Sequence, residues 1–277
     1  MKLSSLARQR LRGNRCEAVT AECAVLCARL ALAITELALF ALCGAPGIGD
    51  APAGQTSYAA VLFAVLIADW LLISPLLIGR AVIYWDIVQS RPTSASRIMS
   101  GFSVYKKALL WRLGRFVRRF FWSTVCYAPT VFLLGYIPLL RRAPETGINN
   151  ALLLVLTAAQ LVFPFAGLLM CESMMLRYLP AECLIAASNG SVPMHRLFSK
   201  SRKMMRGNVG ALMWVSFSFA GWGLLSALIA PAIYSVPVYR TSRIIALRRC
   251  MAESETGSKK RKTKRGKKEI AVSQGAQ

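Results

Sequence analysis

The chain has 277 residues, 55% of them apolar and only 17% charged, and its mean hydropathy is positive. That composition excludes a disordered chain. A soluble fold interrupts its apolar runs about every 4 to 8 residues, whereas several stretches here pass roughly 20 with almost no charge, so the sequence predicts a polytopic membrane protein. Lys and Arg total 35 against 12 Asp and Glu, and the placement of that basic excess carries the topology.

The N-terminus sets Lys2, Arg8, Arg10, Arg12 and Arg15 before an apolar stretch near 23–43. A signal peptide is a poor fit, because the stretch is too long for an h-region, holds Arg29 and Glu36, and has Leu42 rather than a small residue before Cys43. It reads as a first spanning helix. A bilayer core of about 30 Å needs about 20 helical residues, and further spans are expected near 58–79, 120–140, 151–173 and 209–229. The expected fold is therefore all-α: a polytopic transmembrane helix bundle with five clear spans plus a broken sixth or re-entrant segment.

The intervening segments carry five Lys and Arg in the N-terminal tail, none in 44–57, nine in 80–119, two in 141–150, six in 177–206 and twelve from Arg240 onward. This alternation follows the positive-inside rule with a cytoplasmic N-terminus. Five spans alone would leave the last twelve basic residues outside, so the rule demands a return after Ala230. The candidate is 230–249, whose apolar stretch is followed by Arg240 and Arg243; it is either a helix broken at Pro231 and Pro237 or a hairpin folded back at Ala230–Pro231. The domain reading is a basic cytoplasmic tail over 1–22, a helix bundle over 23–251 and a disordered polybasic cytoplasmic tail over 252–277.

Several motifs resemble a known family. Ser201-Arg-Lys-Met-Met-Arg-Gly207-Asn208, followed by Ser218-Phe-Ala-Gly-Trp222-Gly-Leu-Leu225, resembles the C-terminal block of the bacterial membrane-protein family known as domain of unknown function 975. Leu11 to Asn14, Met99 to Tyr105 and Phe163-Pro164-Phe165-Ala166-Gly167 fall in the family's order, so the resemblance covers about residues 3 to 251. It implies a bacterial cytoplasmic (inner) membrane and five or six helices, and it brings no assigned activity.

Four features invite a functional reading. With the spans placed as above, helical rise puts Glu36 about 10 Å, Asp69 about 16 Å, Gln160 about 14 Å and Arg240 about 15 Å from the outer edge. A charge at mid-membrane costs about 2.5–3.5 kcal/mol on insertion scales, so these residues should face the bundle as a midplane polar layer, with Arg240 and Asp69 the expected pair. Such a layer serves either a polar path or a structural ion pair. Over 109–121, Leu109, Leu110, Leu113, Phe116, Val117, Phe120 and Phe121 gather opposite Arg112, Arg115, Arg118 and Arg119. This is the pattern of an interfacial amphipathic helix, or of a cytoplasmic extension of the third span. Residues 194–206 read as a second short basic surface helix that includes His195.

The tail places Lys259, Lys260, Arg261, Lys262, Lys264, Arg265, Lys267 and Lys268 within one ten-residue run. It cannot fold alone, and near an anionic leaflet each basic residue contributes about 1 kcal/mol. Phosphates of nucleic acid would attract it by counterion release, but no aromatic interleaves the tail to stack a base, which argues against sequence-specific nucleic-acid recognition. A bare topology anchor is the third reading. In the fifth span Ser216, Ala220, Gly223 and Ala227 share one side, a spacing that close helix packing accounts for.

The eight cysteines form no Cys-x-x-Cys pair and read as reduced, buried thiols. Cys23 and Cys27 share a helix face without a second pair to complete a metal site, and no metal or cofactor is expected. Nucleophile-elbow, zincin, dinucleotide and Walker-type spacings are all absent, so no catalytic residue is expected. The two function readings are a non-catalytic membrane protein whose basic cytoplasmic face contacts anionic lipid or a partner protein, and a small-molecule or ion transporter using the midplane layer. Against transport, no repeat relates the two halves of the chain.

Overall fold

The computed structural model describes residues 3–43, 52–141, 147–188, 190–219 and 235–252. The described residues are helical wherever they are regular, with no strand among them. The helices are α1 (Leu3–Leu11), α2 (Arg15–Cys43), α3 (Pro52–Val88), α4 (Ser100–Ser103), α5 (Tyr105–Arg141), α6 (Gly147–Leu176), α7 (Pro180–Ala187), α8 (Met194–Met204) and α9 (Val209–Ser218). A 3-10 turn, Ala95–Met99, precedes α4, and residues 235–252 form a further helix, α10. Among the described residues four segments are long and apolar enough to cross a membrane: Arg15–Leu39, Ala59–Val88, Tyr105–Leu140 and Asn149–Ala187. They overlap the first four expected spans. Of the fifth, residues 220–229 lie outside the described residues, as do 230–234 and the tail from 253 on.

The chain divides into two compact units, Met1–Trp111 with Pro180–Gln277, and Arg112–Leu179. In the first, α1 ends at Gly13, whose φ of +93° a side chain would strain. Asn14 then restarts the chain by accepting the Ala18 N–H as α2 begins. The expected basic tail over 1–22 is thus largely helical and packed: Ala7, Leu11, Ala18 and Ala21 are buried against Ile83, Tyr84 and Ile87 of α3. Sequence reading missed this because the five basic residues outweigh the small apolar stripe between them.

Helix α2 runs antiparallel to α3, with Ala18 opposite Tyr84 and Glu22 opposite Arg80. Helix α3 stops where Ser90 adopts φ +57° and the Arg91 N–H reaches back to the Asp86 carbonyl, a left-handed helix end. Pro92 follows and cannot extend the helix. The buried Asp86 carboxylate is paired with Arg97 of the 3-10 turn, which pins the connection back onto α3.

That connection approaches α3 without room for a single side chain. A Cβ on Gly79 would strike the Ile98 carbonyl, and one on Gly101 would strike the Pro75 carbonyl. The Met99-Ser-Gly-Phe motif therefore has a packing explanation: its glycine is the point at which α4 touches the α3 backbone.

Helix α10 packs Val238 and Ile245 into the core formed by α1, α2 and α3. Pro237 falls within its first turn, where the missing N–H interrupts nothing. Arg240 and Arg243 both sit within continuous helix, and Pro231, the other expected break, lies outside the described residues. Arg243 lies 5.3 Å from the Tyr239 ring centroid, and the Tyr239 hydroxyl donates to Ser216 of α9 at 3.4 Å.

The second unit is a helical hairpin of α5 after Trp111 and α6. Cys126, Cys171 and Met175 form its small buried cluster, and a Cβ on Gly167 would lie 2.9 Å from the Cys126 carbonyl oxygen. Outside that seam the apolar residues face outward: Phe120, Phe132, Leu154, Leu161 and Phe165 are all exposed. An aqueous protein does not present such a surface, and hydrocarbon solvates it. Here 109–121 is the opening of one continuous helix and no separate interfacial helix. Its apolar residues are largely exposed, while Arg118 and Arg119 turn to the protein, Arg118 over the Tyr178 ring and Arg119 to Glu172.

Candidate functional site

The most concentrated polar chemistry in the first unit is an ion cluster where α2, α3 and α10 meet. Glu22 points into the seam because Ala18, Ala21 and Val25 on the same face of α2 are buried, and helical periodicity carries residue 22 with them. Arg80 reaches it from α3, with Nη1 3.1 Å from Oε2. Arg240 reaches it from α10, with Nε 2.5 Å from Oε1. The second contact is an ion contact off hydrogen-bonding alignment.

Side-chain exposure decides the weight of each partner. Arg80 is 9% exposed and Glu22 18%, whereas Arg240 retains 32%. Two guanidiniums thus share one carboxylate. Glu182 of α7 adds a second negative charge within electrostatic reach of Arg80, and Tyr84 lies beside Glu22 while its hydroxyl donates to the Ala18 carbonyl at 3.5 Å. The arrangement holds four segments distant in sequence at one point and contains no evident nucleophile.

The expected midplane layer changes accordingly. Arg240 pairs with Glu22, not with Asp69. Arg80 and Asp69 are about 16 Å apart along α3 at about 1.5 Å per residue, and sharing one carboxylate with Arg80 fixes Arg240 near that end. The error came from counting α10's depth as one uniform crossing. Glu36 and Asp69 are half-buried in the first unit, and Gln160, also half-buried, belongs to the second.

Of the basic residues singled out in sequence, Arg112, Arg115 and Arg118 are half-buried and Arg119 is exposed. Arg118 Nη1 donates to the Gly114 carbonyl at 2.8 Å, and Arg119 Nη2 donates to Glu172 Oε1 at 3.0 Å. The Arg119–Glu172 pair is more than half exposed on both sides. Glu172→Gln is therefore expected to move the unfolding free energy by less than about 1 kcal/mol, measurable by chemical unfolding in mild micelles. Lys259, Lys260, Arg261, Lys262, Lys264, Arg265, Lys267 and Lys268 lie outside the described residues.

Helix α8 is the short basic surface helix expected from 194–206. Leu197, Phe198, Ser201 and Met204 are buried, while His195, Arg196, Lys200, Arg202 and Lys203 are exposed. Its apolar side packs on α7, which packs on α3. Gly190 ahead of it, at φ +75°, offers its carbonyl to Lys107. His195 neighbours Arg196, whose Nε donates to its Nε2 at 3.1 Å.

No family model, no curated protein and no solved structure matches the chain. No group of three or more His, Cys, Asp or Glu side chains suited to a metal ion occurs among the described residues.

Proposed function

We propose that this chain is a non-catalytic multi-pass protein of a bacterial cytoplasmic membrane, with both termini cytoplasmic and a basic cytoplasmic face that contacts anionic lipid. The observation that carries the reading is the split character of α8: its apolar side is buried in the protein and its cationic side is left exposed. Arg8, Arg10 and Arg12 of the N-terminal segment are likewise exposed, although the same segment contributes Ala7 and Leu11 to the core. A surface built this way meets counter-charge in the headgroup layer, where each basic residue contributes about 1 kcal/mol.

The transport reading drew on a midplane polar layer, from which the contact with Glu22 removes Arg240. The resemblance to domain of unknown function 975 fits a membrane bundle and leaves activity open.

The test reconstitutes the full chain with spin-labelled phosphatidylglycerol or phosphatidylcholine and compares the fraction of each that is motionally restricted. The anionic lipid is expected to be enriched at low salt. The enrichment should fall toward parity at 1 M salt, where the Debye length shrinks from about 10 Å to about 3 Å. Equal fractions at both salt concentrations would exclude the lipid-contacting face.

A further inference from the structure

At the end of α3 the chain closes a cleft of about 250 Å³ whose lining includes Leu6 and Arg10 of α1, Val88 of α3, and Ile245, Arg248 and Arg249 of α10. Two of these arginines also hold the helix end. Arg248 Nη1 donates to the Val88 carbonyl at 3.1 Å, and Arg10 donates to Ser90 Oγ. A guanidinium has five N–H donors in a planar fork, so neither is exhausted by its single recorded bond. Arg249 is exposed and has no recorded partner among the described residues.

The floor and walls differ in character. Leu6, Val88 and Ile245 supply apolar surface, the three arginines supply cation, and no acidic residue lines the cleft among the described residues. Val88 is also the last residue of the segment Ala59–Val88 that is long and apolar enough to cross a membrane. The cleft therefore lies at one end of that segment, beyond the expected span near 58–79.

We infer that this cleft binds the phosphate of one anionic phospholipid, with the arginines on the phosphate oxygens and the apolar floor against the glycerol end of the acyl chains. Arginine forks match phosphate geometry and form charge-assisted bonds. The inference rests on the lipid-contacting reading above and adds to it a single saturable site.

The experiment titrates the detergent-solubilised full chain with dioctanoyl phosphatidylglycerol by calorimetry, against dioctanoyl phosphatidylcholine, inorganic phosphate and glycerol phosphate. The wild type is expected to bind one phosphatidylglycerol per chain, in preference to the other three. Arg249→Gln and Arg10→Gln should each weaken it about tenfold, the loss of roughly one charge-assisted bond, with melting temperatures confirming that each variant is folded. Replacing the eight basic tail residues by glutamine should leave that site unchanged. If the tail variant loses binding while Arg249→Gln and Arg10→Gln keep it, the cleft assignment is overturned and the wider lipid reading survives. No preference for phosphatidylglycerol over phosphatidylcholine in the wild type would sink both. Inorganic phosphate or glycerol phosphate bound as tightly as the lipid would overturn the lipid assignment in favour of a soluble anion.

Discussion

Glu22→Gln is expected to destabilise the protein by about 3 kcal/mol, because it leaves two guanidiniums facing each other without their shared carboxylate. Removing one partner of a buried ion pair costs about 3–5 kcal/mol, most of it the desolvation of the charge left behind. The lower end applies because Arg240 is 32% exposed and water reaches part of the cluster. Arg240→Gln should cost less, about 1 kcal/mol, since Glu22 keeps the more deeply buried Arg80. A double-mutant cycle read by chemical unfolding in micelles separates the terms. If Glu22→Gln unfolds at the wild-type midpoint, the cluster does not hold α2, α3 and α10 together.

The second large effect is steric. Gly101→Leu should prevent α4 from seating on α3, because even a methyl at this position strikes the Pro75 carbonyl, and Gly79→Leu should do the same against Ile98. Overpacking costs about 1–3 kcal/mol where side chains give way, and a backbone carbonyl gives less, so a loss of more than about 3 kcal/mol or of folded yield is expected. Gly135→Ala is the control. A Cβ there meets nothing within 4 Å, and removing a helix-interior glycine should add about 0.5–1 kcal/mol of stability. Wild-type melting for Gly101→Leu would show that the close approach is absent in the folded protein.

What the sequence made legible was set by length scale. Runs of about 20 apolar residues overwhelm every local preference, so the helical class and the segments within α2, α3, α5 and α6 could be read directly. The amphipathic period of 194–206 was equally plain, and α8 keeps it. The packing of α1 was hidden because only two of its residues, Ala7 and Leu11, are buried, too few to register against the arginines around them.

The partner of Arg240 was missed for a related reason. Glu22 stands one residue before the expected first span and was counted with the tail, so it was never weighed as a partner within the bundle. A usable signal existed. Consecutive spans joined by a short loop run antiparallel, which brings the start of α2 beside the end of α3 and makes Glu22 with Arg80 a natural pair of opposite charges. Arg240 could not be added by the same logic, because its position depends on the path between α9 and α10, which no residue pattern specifies. The glycine contacts were opaque too: nothing in Met-Ser-Gly-Phe tells which backbone comes close.

The account stands on the basic residues at the end of α3 facing the cytoplasm, together with the N-terminus. Arg10 and Ala252 line one cleft, so the side on which residue 252 lies is the side of the basic face. Paired reporters, one active only in the cytoplasm and one only outside, fused after residue 252 measure it directly. The account predicts signal from the cytoplasmic reporter alone. Signal from the exterior reporter would place the arginine cleft and the tail on the wrong side of the membrane and contradict the proposed function.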